Sequence, residues 1–488
     1  MATQLKLVPN LSLKEMAINK LAVNLWIQSL INERQKAEIF DEWYRIVDIV
    51  KEKVLELKLQ KLVMDRLVHI LRPIGREILG WKQFHEYILN DKADNFSPTS
   101  SIKFDILKQL CWTCTGAVDE RRTAELLIRL EMFDPIKCFR LACWYCLESY
   151  IPILWRNLPR RYKNLFHDKI SLFPSKILPL EYYWAFTMNG EELKLNNFFL
   201  SSFLDNAPSV HQAFFKHSTC NRNKAATEYF YQKLTDEALN CDFYGTLCDA
   251  LREETYIASC LKGKSRCDVF VYLLNLMTRE QQRKVFKEEP LTCLFWLLDW
   301  PWQNMCVGVT VQIWKFIPVS KYELVLRELF AKMFSSTTCF YIPEVFQNFF
   351  MHSPVSFRKY FVNCGSFGID FISKFLQAED GESVKVILEN LEDPERRKLL
   401  SNDSFCILIA FYMQKDRWSM VELCVGEATL SKEDRKILKN IYQKFSPNTS
   451  RRWQRFFSLL DGKSVNTTTN MYAEDVKLGK NKRLKKSD

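Results

Sequence analysis

Scarcity of glycine limits this chain more than any motif does. All-β folds need glycine at their tight turns, and nucleotide-binding α/β folds need it where backbone approaches phosphate. Here 13 glycines serve 488 residues, against an average usage near 7%. A fold made mostly of helices is what such a chain can build.

The stretch from Glu131 to Tyr162, EMFDPIKCFRLACWYCLESYIPILWRNLPRRY, is the clearest example. Phe139, Ala142, Cys143, Cys146 and Leu147 recur at the spacing of one buried helical stripe, with Lys137, Arg140 and Glu148 on other faces. Asp134 and Pro135 form a start signal, because a proline at the first helical position forfeits no hydrogen bond. Pro152 and Pro159 mark the starts of further short helices. A helix hairpin this apolar needs neighbours of the same kind to bury it. Aliphatic, aromatic and cysteine side chains make up 47% of the chain, with 36 phenylalanines, so a large core is available.

Elsewhere the pattern is similar. Glu33 to Leu71 carries charges among Ile, Leu and Val at three- and four-residue intervals, and Pro73 with Gly75 is expected to break it. NDKADNFSPTSS, Asn90 to Ser101, has the composition of a linker. Asn189-Gly190 reads as a helix stop rather than a hairpin turn. Two stretches about 115 residues apart, Val269 to Trp302 and Val384 to Trp418, echo one another. Each places an acid four residues after a leucine (Leu276 and Glu280; Leu391 and Glu395), then a Gln/Arg/Lys cluster, then a cysteine-bearing apolar helix. That separation accommodates about three units of ordinary helical-repeat length, although no tetratricopeptide or ankyrin signature is present.

The expected architecture is all-α, an irregular array of helix hairpins resembling an α-solenoid. It comprises an N-terminal helical region (1–95), the stacked array (102–460) and a disordered basic tail (461–488).

Motifs of reaction chemistry fail one by one. Cys111-Trp-Thr-Cys114 and Cys143-Trp-Tyr-Cys146 suggest a four-thiolate zinc site or thiol redox chemistry. The 28 residues between them exceed a compact zinc ribbon, and we read both pairs as small side chains packed on a helix face. His85-Glu86 opens an HExxH metalloprotease motif, but Leu89 stands where the second histidine belongs. His211, His217 and Cys220 lack regular ligand spacing. Gly263-Lys264-Ser265 resembles the end of a phosphate loop, yet Ala258 occupies its required first glycine. No catalytic residue, cofactor or metal is expected.

Of the formal net charge of +11, five charges fall in Lys477 to Asp488. Lys480, Lys482, Arg483, Lys485 and Lys486 could enter an acidic importin groove or contact phosphates. Elsewhere basic and acidic residues interleave, as in Asp119-Glu120-Arg121-Arg122. Arg160-Arg161 beside Tyr162 and Arg451-Arg452 beside Trp453 are read as surface arginines flanking aromatic core. Sixteen cysteines inside apolar patterns, with no secretory leader in Met1 to Trp26, point to reduced thiols in the cytoplasm, with the nucleus as an alternative. No apolar run approaches the roughly 18 residues of a membrane span. The expected activity is noncatalytic binding of a protein partner as a scaffold or adaptor; the alternative is association with nucleic acid through the tail.

Overall fold

A computed structural model describes residues 6–9, 11–32, 40–90, 102–166, 179–192, 194–195, 209–235, 245–247, 267–334, 343–428, 430–445 and 450–462. Every regular element among them is a helix, and the one strand-like feature is a single antiparallel bridge between Trp112 and Val118. The all-α class follows. The chain divides into two compact units, 1–345 and 346–488. The expected division near residues 90–101 falls mostly outside the described residues, and a hydrogen bond from Ile102 N–H to Glu86 (2.8 Å) links its two sides.

In the first unit α1 (Leu13–Asn32), α2 (Phe40–Glu56) and α3 (Lys61–Leu89) pack together. They are followed by α4 (Phe104–Leu107), α5 (Glu120–Arg129), α6 (Pro135–Trp144), α7 (Ile151–Asn157), α8 (Arg160–Asn164), α9 (Pro179–Met188), α10 (Val210–Cys220) and α11 (Lys224–Tyr231). After residues outside the description come α12 (Cys267–Leu276), α13 (Arg279–Glu288), α14 (Pro290–Leu297), α15 (Gln303–Ile313) and α16 (Tyr322–Phe334).

Two local expectations fail for identifiable reasons. Pro73 and Gly75 do not break α3, which runs unbroken from Lys61 to Leu89. Gly75 is where the fully buried indole of Trp26 lies against the helix: a Cβ there would sit 2.3 Å from Trp26 Cζ2. The same indole donates from Nε1 to the Leu71 carbonyl at 2.8 Å. A tertiary contact therefore uses both the missing side chain and the backbone acceptor. The second failure lies in α6. Its predicted cap is present, with Asp134 accepting from the N–H groups of Ile136 and Lys137 at 3.1 and 3.0 Å. The stripe from Phe139 to Leu147 is buried as expected, but so are Lys137 and Arg140. The helix is enclosed on every side.

Six described helix ends share one geometry. Glu131, Cys146, Gly190, Arg222, Glu379 and Asp416 take positive φ between 49° and 72°. In each case the following N–H reaches back to a carbonyl five residues earlier, as from Met132 to Leu127 or Arg417 to Tyr412. This is the Schellman closure, which satisfies carbonyls that a helix end leaves open. Glycine fills only Gly190 of the six, as expected from Asn189-Gly190. Elsewhere a residue with a Cβ accepts the left-handed conformation at a cost of roughly 1 kcal/mol, which is how a chain so poor in glycine still turns its hairpins.

The second unit contains the end of α17 (Pro343–Met351), then α18 (Val355–Asn363), α19 (Phe367–Gln377), α20 (Gly381–Asn390), α21 (Asp393–Leu400), α22 (Asp403–Gln414), α23 (Trp418–Gly426), α24 (Lys432–Lys444) and α25 (Arg451–Leu460). Helix α21 packs against both α18 and α24; α19 packs against α22, and α20 against α23. Glu379 and Asp416, 37 residues apart, hold the left-handed turn of successive hairpins. They pair with Arg417 (3.6 Å) and Arg452 (3.2 Å) of the following segment. These pairs are exposed and contribute little energy.

The two similar stretches each form three consecutive helices, α12–α14 and α20–α22. Gln282 and Arg396 occupy the fourth position of α13 and α21, and both are buried. Gln282 donates to the Leu274 carbonyl (2.8 Å) and Arg396 to the Leu391 carbonyl (2.7 Å), each near the end of the preceding helix.

Candidate functional site: a small cleft and the loop that walls it

Residues Leu11, Glu15, Ile18, Asn19, Arg66, Ile70, Thr115, Trp300, Pro301 and Gln303 surround a cleft of about 30 Å³ in the first unit. Ser12 begins α1 by the capping-box rule. Its hydroxyl accepts from Glu15 N–H at 3.2 Å, while its own N–H and hydroxyl each donate to Glu15 Oε2 at 2.8 Å. Arg66, projecting from α3, lies 3.8 Å from Glu15 and also pairs with Glu344. Burial works to raise the Glu15 carboxyl pKa. The two Ser12 hydrogen bonds and the Arg66 guanidinium outweigh it and hold the pKa below the usual 4.5. Gln303 is 4% exposed, and its side-chain nitrogen has no hydrogen-bond partner.

Thr115, which lines the cleft, belongs to the loop from Cys111 to Asp119. Thr113 N–H donates to the Ala117 carbonyl (2.9 Å), Asp119 N–H to the Cys111 carbonyl (2.8 Å), and Cys111 N–H to Thr123 Oγ1 of α5 (2.9 Å). Asn19 Nδ2, inside the cleft, donates to the Cys114 carbonyl at 3.1 Å. Gly116 takes φ +82°, and a Cβ there would stand 3.3 Å from Trp300. The first Cys-x-x-Cys pair is thus on a turn, contrary to the helix-face expectation. In the second pair Cys143 lies in α6, whereas Cys146 is the left-handed residue past its end.

The space has room for roughly one water molecule. Enclosing a metabolite takes about 300 Å³ or more. Its polar lining consists of the Asn19 and Gln303 amides, the Thr115 hydroxyl, the Glu15 carboxylate and the Arg66 guanidinium, which pairs with Glu15 and Glu344.

More strongly perturbed groups lie in the core. Arg140 donates from Nε to the Tyr162 hydroxyl (3.2 Å), which donates to Glu181 Oε2 (2.6 Å); Arg140 Nε is also 3.5 Å from Glu181 Oε1. All three side chains are at most 2% exposed. Burial first, and then the Glu181 carboxylate, push the Tyr162 hydroxyl well above its ordinary pKa despite the opposing arginine. His85 is also fully buried, stacked on Trp81 with ring centres 3.9 Å apart. Its Nδ1 faces the Trp81 carbonyl at 2.7 Å and its Nε2 the Tyr145 hydroxyl at 2.8 Å. A carbonyl only accepts, so Nδ1–H donates to it, while Nε2 and the Tyr145 hydroxyl share the second hydrogen bond. These networks satisfy buried polar groups and fix the packing of α3, α6, α8 and α9. Spacing in the sequence set Arg140 on a face away from the buried stripe and so missed them; a charge on a covered face must find an internal partner.

His211, His217 and Cys220 share α10, with His211 3.4 Å from the Tyr183 hydroxyl. No group of three or more His, Cys, Asp or Glu residues placed to hold a metal occurs among the described residues. Gly263-Lys264-Ser265 and the cluster Lys480, Lys482, Arg483, Lys485 and Lys486 lie outside the described residues. Arg452 and Arg455 of α25 pair with Asp416 and Glu422 of the preceding hairpin. No described helix is long and apolar enough to cross a membrane. Comparison with known protein families, curated proteins and solved structures returns no match for this chain.

Proposed function

We propose that the chain is a noncatalytic array of helix hairpins that binds a protein partner through its surface, as a scaffold or adaptor. The observation that carries this reading is the packing of α18 to α25, in which equivalent helices of successive segments lie against one another. Recurrence of the left-handed turn at Glu379 and Asp416, and of the buried plugs Gln282 and Arg396, supports it. Arrays of this kind act by presenting long surfaces to other chains. A reducing compartment, the cytoplasm or nucleus, suits a chain whose described cysteines are all free thiols.

The test is capture of partners by the tagged full-length chain, with and without nuclease, quantified by mass spectrometry. The proposal expects the same proteins in both samples. It also expects their loss when the exposed apolar pair of α22 is charged, as in I407E/F411E; these side chains are 62% and 49% exposed. Partners released by nuclease, and lost on deleting 477–488, would instead support association with nucleic acid.

A further inference from the structure

Asn275, the penultimate residue of α12, holds a stretch of chain 268 residues away in sequence. Its Oδ1 accepts from the Leu7 N–H at 2.7 Å, and its Nδ2 donates to the Leu7 carbonyl at 2.9 Å. We infer that this is a peptide-binding site for an extended Leu-x-Pro segment of a partner protein, and that residues 6–9 of the chain itself occupy it as a resident competitor. Such a site presupposes that the chain binds protein partners, as proposed above, and specifies the chemistry of one.

Three observations carry it. The first is the grip. An N–H only donates and a carbonyl only accepts, so the two bonds fix which way the Asn275 amide faces. Both go to the main chain of one residue, as the bonds from a neighbouring strand would, and main-chain bonds hold an extended peptide whatever its sequence. The second is alternation. Leu7 is 2% exposed, whereas Lys6 and Val8 on either side are exposed, Val8 at 62%. That is the pattern of an extended chain seated on a surface, with the buried leucine supplying the selectivity that main-chain bonds lack. The third is the segment's own chemistry. Pro9 biases Val8 towards extended backbone, so little entropy is lost in ordering it. Residues 6–9 form no helix, and residues 10–12 alone join them to α1. Release of the segment therefore opens the site without unravelling an element.

The short tether sets how strongly the resident segment competes. A short flexible connection gives an effective concentration on the order of 1 mM. Against it, an outside peptide with a Kd of about 0.1 mM binds about tenfold more weakly than to the vacated site. The resident segment thus screens out weak peptides and yields to one that fits better or is presented alongside a second contact.

The test titrates the full-length chain into a fluorescent peptide of residues 4–10, QLKLVPN, and follows anisotropy. L7E vacates the site, and trypsin cutting after Lys6 verifies the release; if L7E fails to fold, L7S vacates it without adding a charge. The vacated chain should bind the peptide saturably and the wild type about tenfold more weakly, while the same peptide carrying L7E should not bind. Adding N275D keeps an acceptor for the N–H but removes the donor to the carbonyl, and should weaken binding by about tenfold. No saturable binding to the vacated chain, undiminished binding after N275D, or equal binding by the wild type would each overturn the inference. So would a wild-type dimer that L7E abolishes, which would mean that two copies exchange the segment. Partner capture through α22 is read separately, so failure of this site is distinguishable from failure of partner binding altogether.

Discussion

Substituting Gly75 by alanine adds one methyl group in the middle of α3, and on an exposed helix that change stabilises by about 1 kcal/mol. Here the new Cβ would lie 2.3 and 2.7 Å from Trp26 Cζ2 and Cη2, where carbon atoms prefer about 3.5–4 Å. Either the indole or the helix must give by about 1 Å. The indole is fully buried and held by its hydrogen bond to the Leu71 carbonyl. Its retreat loses about 1 kcal/mol of hydrogen bonding and adds about 1–3 kcal/mol of overpacking. After the gain in helix propensity, G75A should destabilise by about 1–3 kcal/mol, read as a lower urea midpoint of the full chain. Gly308 supplies the internal control. It is exposed within α15, with no atom within 4 Å of an added Cβ, so G308A should stabilise by about 0.5–1 kcal/mol. The two substitutions should differ in sign, and adding W26F should lessen the cost of G75A. A neutral or stabilising G75A would refute the argument.

Removing one partner of the buried ion pair, as in R140M, should cost about 3–5 kcal/mol in denaturant unfolding, with part recovered when Glu181→Leu is added. Burial lowers the His217 imidazole to about 4 from 6.5, so the folded chain holds it neutral while the unfolded chain takes up a proton below 6.5. Stability from this group is present above 6.5 and falls as the pH drops towards 4; H217N should flatten the unfolding midpoint across that window. Asp416 has φ +54°, so D416G should be about 1 kcal/mol more stable than D416A, both variants having lost the Arg452 pair.

Local signals in the sequence carried as far as their causes were local. Asp134-Pro135 started α6 and Gly190 ended α9, because caps and left-handed closures involve residues close in sequence. Pro73 misled, because Trp26, far away in the chain, made Gly75 a contact rather than a break. Arg140 misled because spacing assigns a residue to a face without saying whether that face is covered; α6 is covered throughout. The Cys111 pair misled in another way. Its spacing fits a helix, but the bonds from Asp119, Ala117 and Thr123 fold it into a turn. Ser12 and Glu15 form a capping box, but nothing in the sequence joined it to the rest of the cleft, since Glu15, Arg66 and Gln303 converge from three helices separated in sequence.

The array reading meets its most direct test in hydrogen exchange across the second unit after Phe456→Ala. Phe456 is 1% exposed, its ring 4.8 Å from that of Tyr442, and truncating such a buried ring costs about 3–5 kcal/mol. If each segment is sheltered chiefly by its neighbours, amide protection should collapse in α24 and α25 and persist in α18 to α20. Protection lost to the same extent from α18 through α25 would mean one indivisible core and would contradict the array.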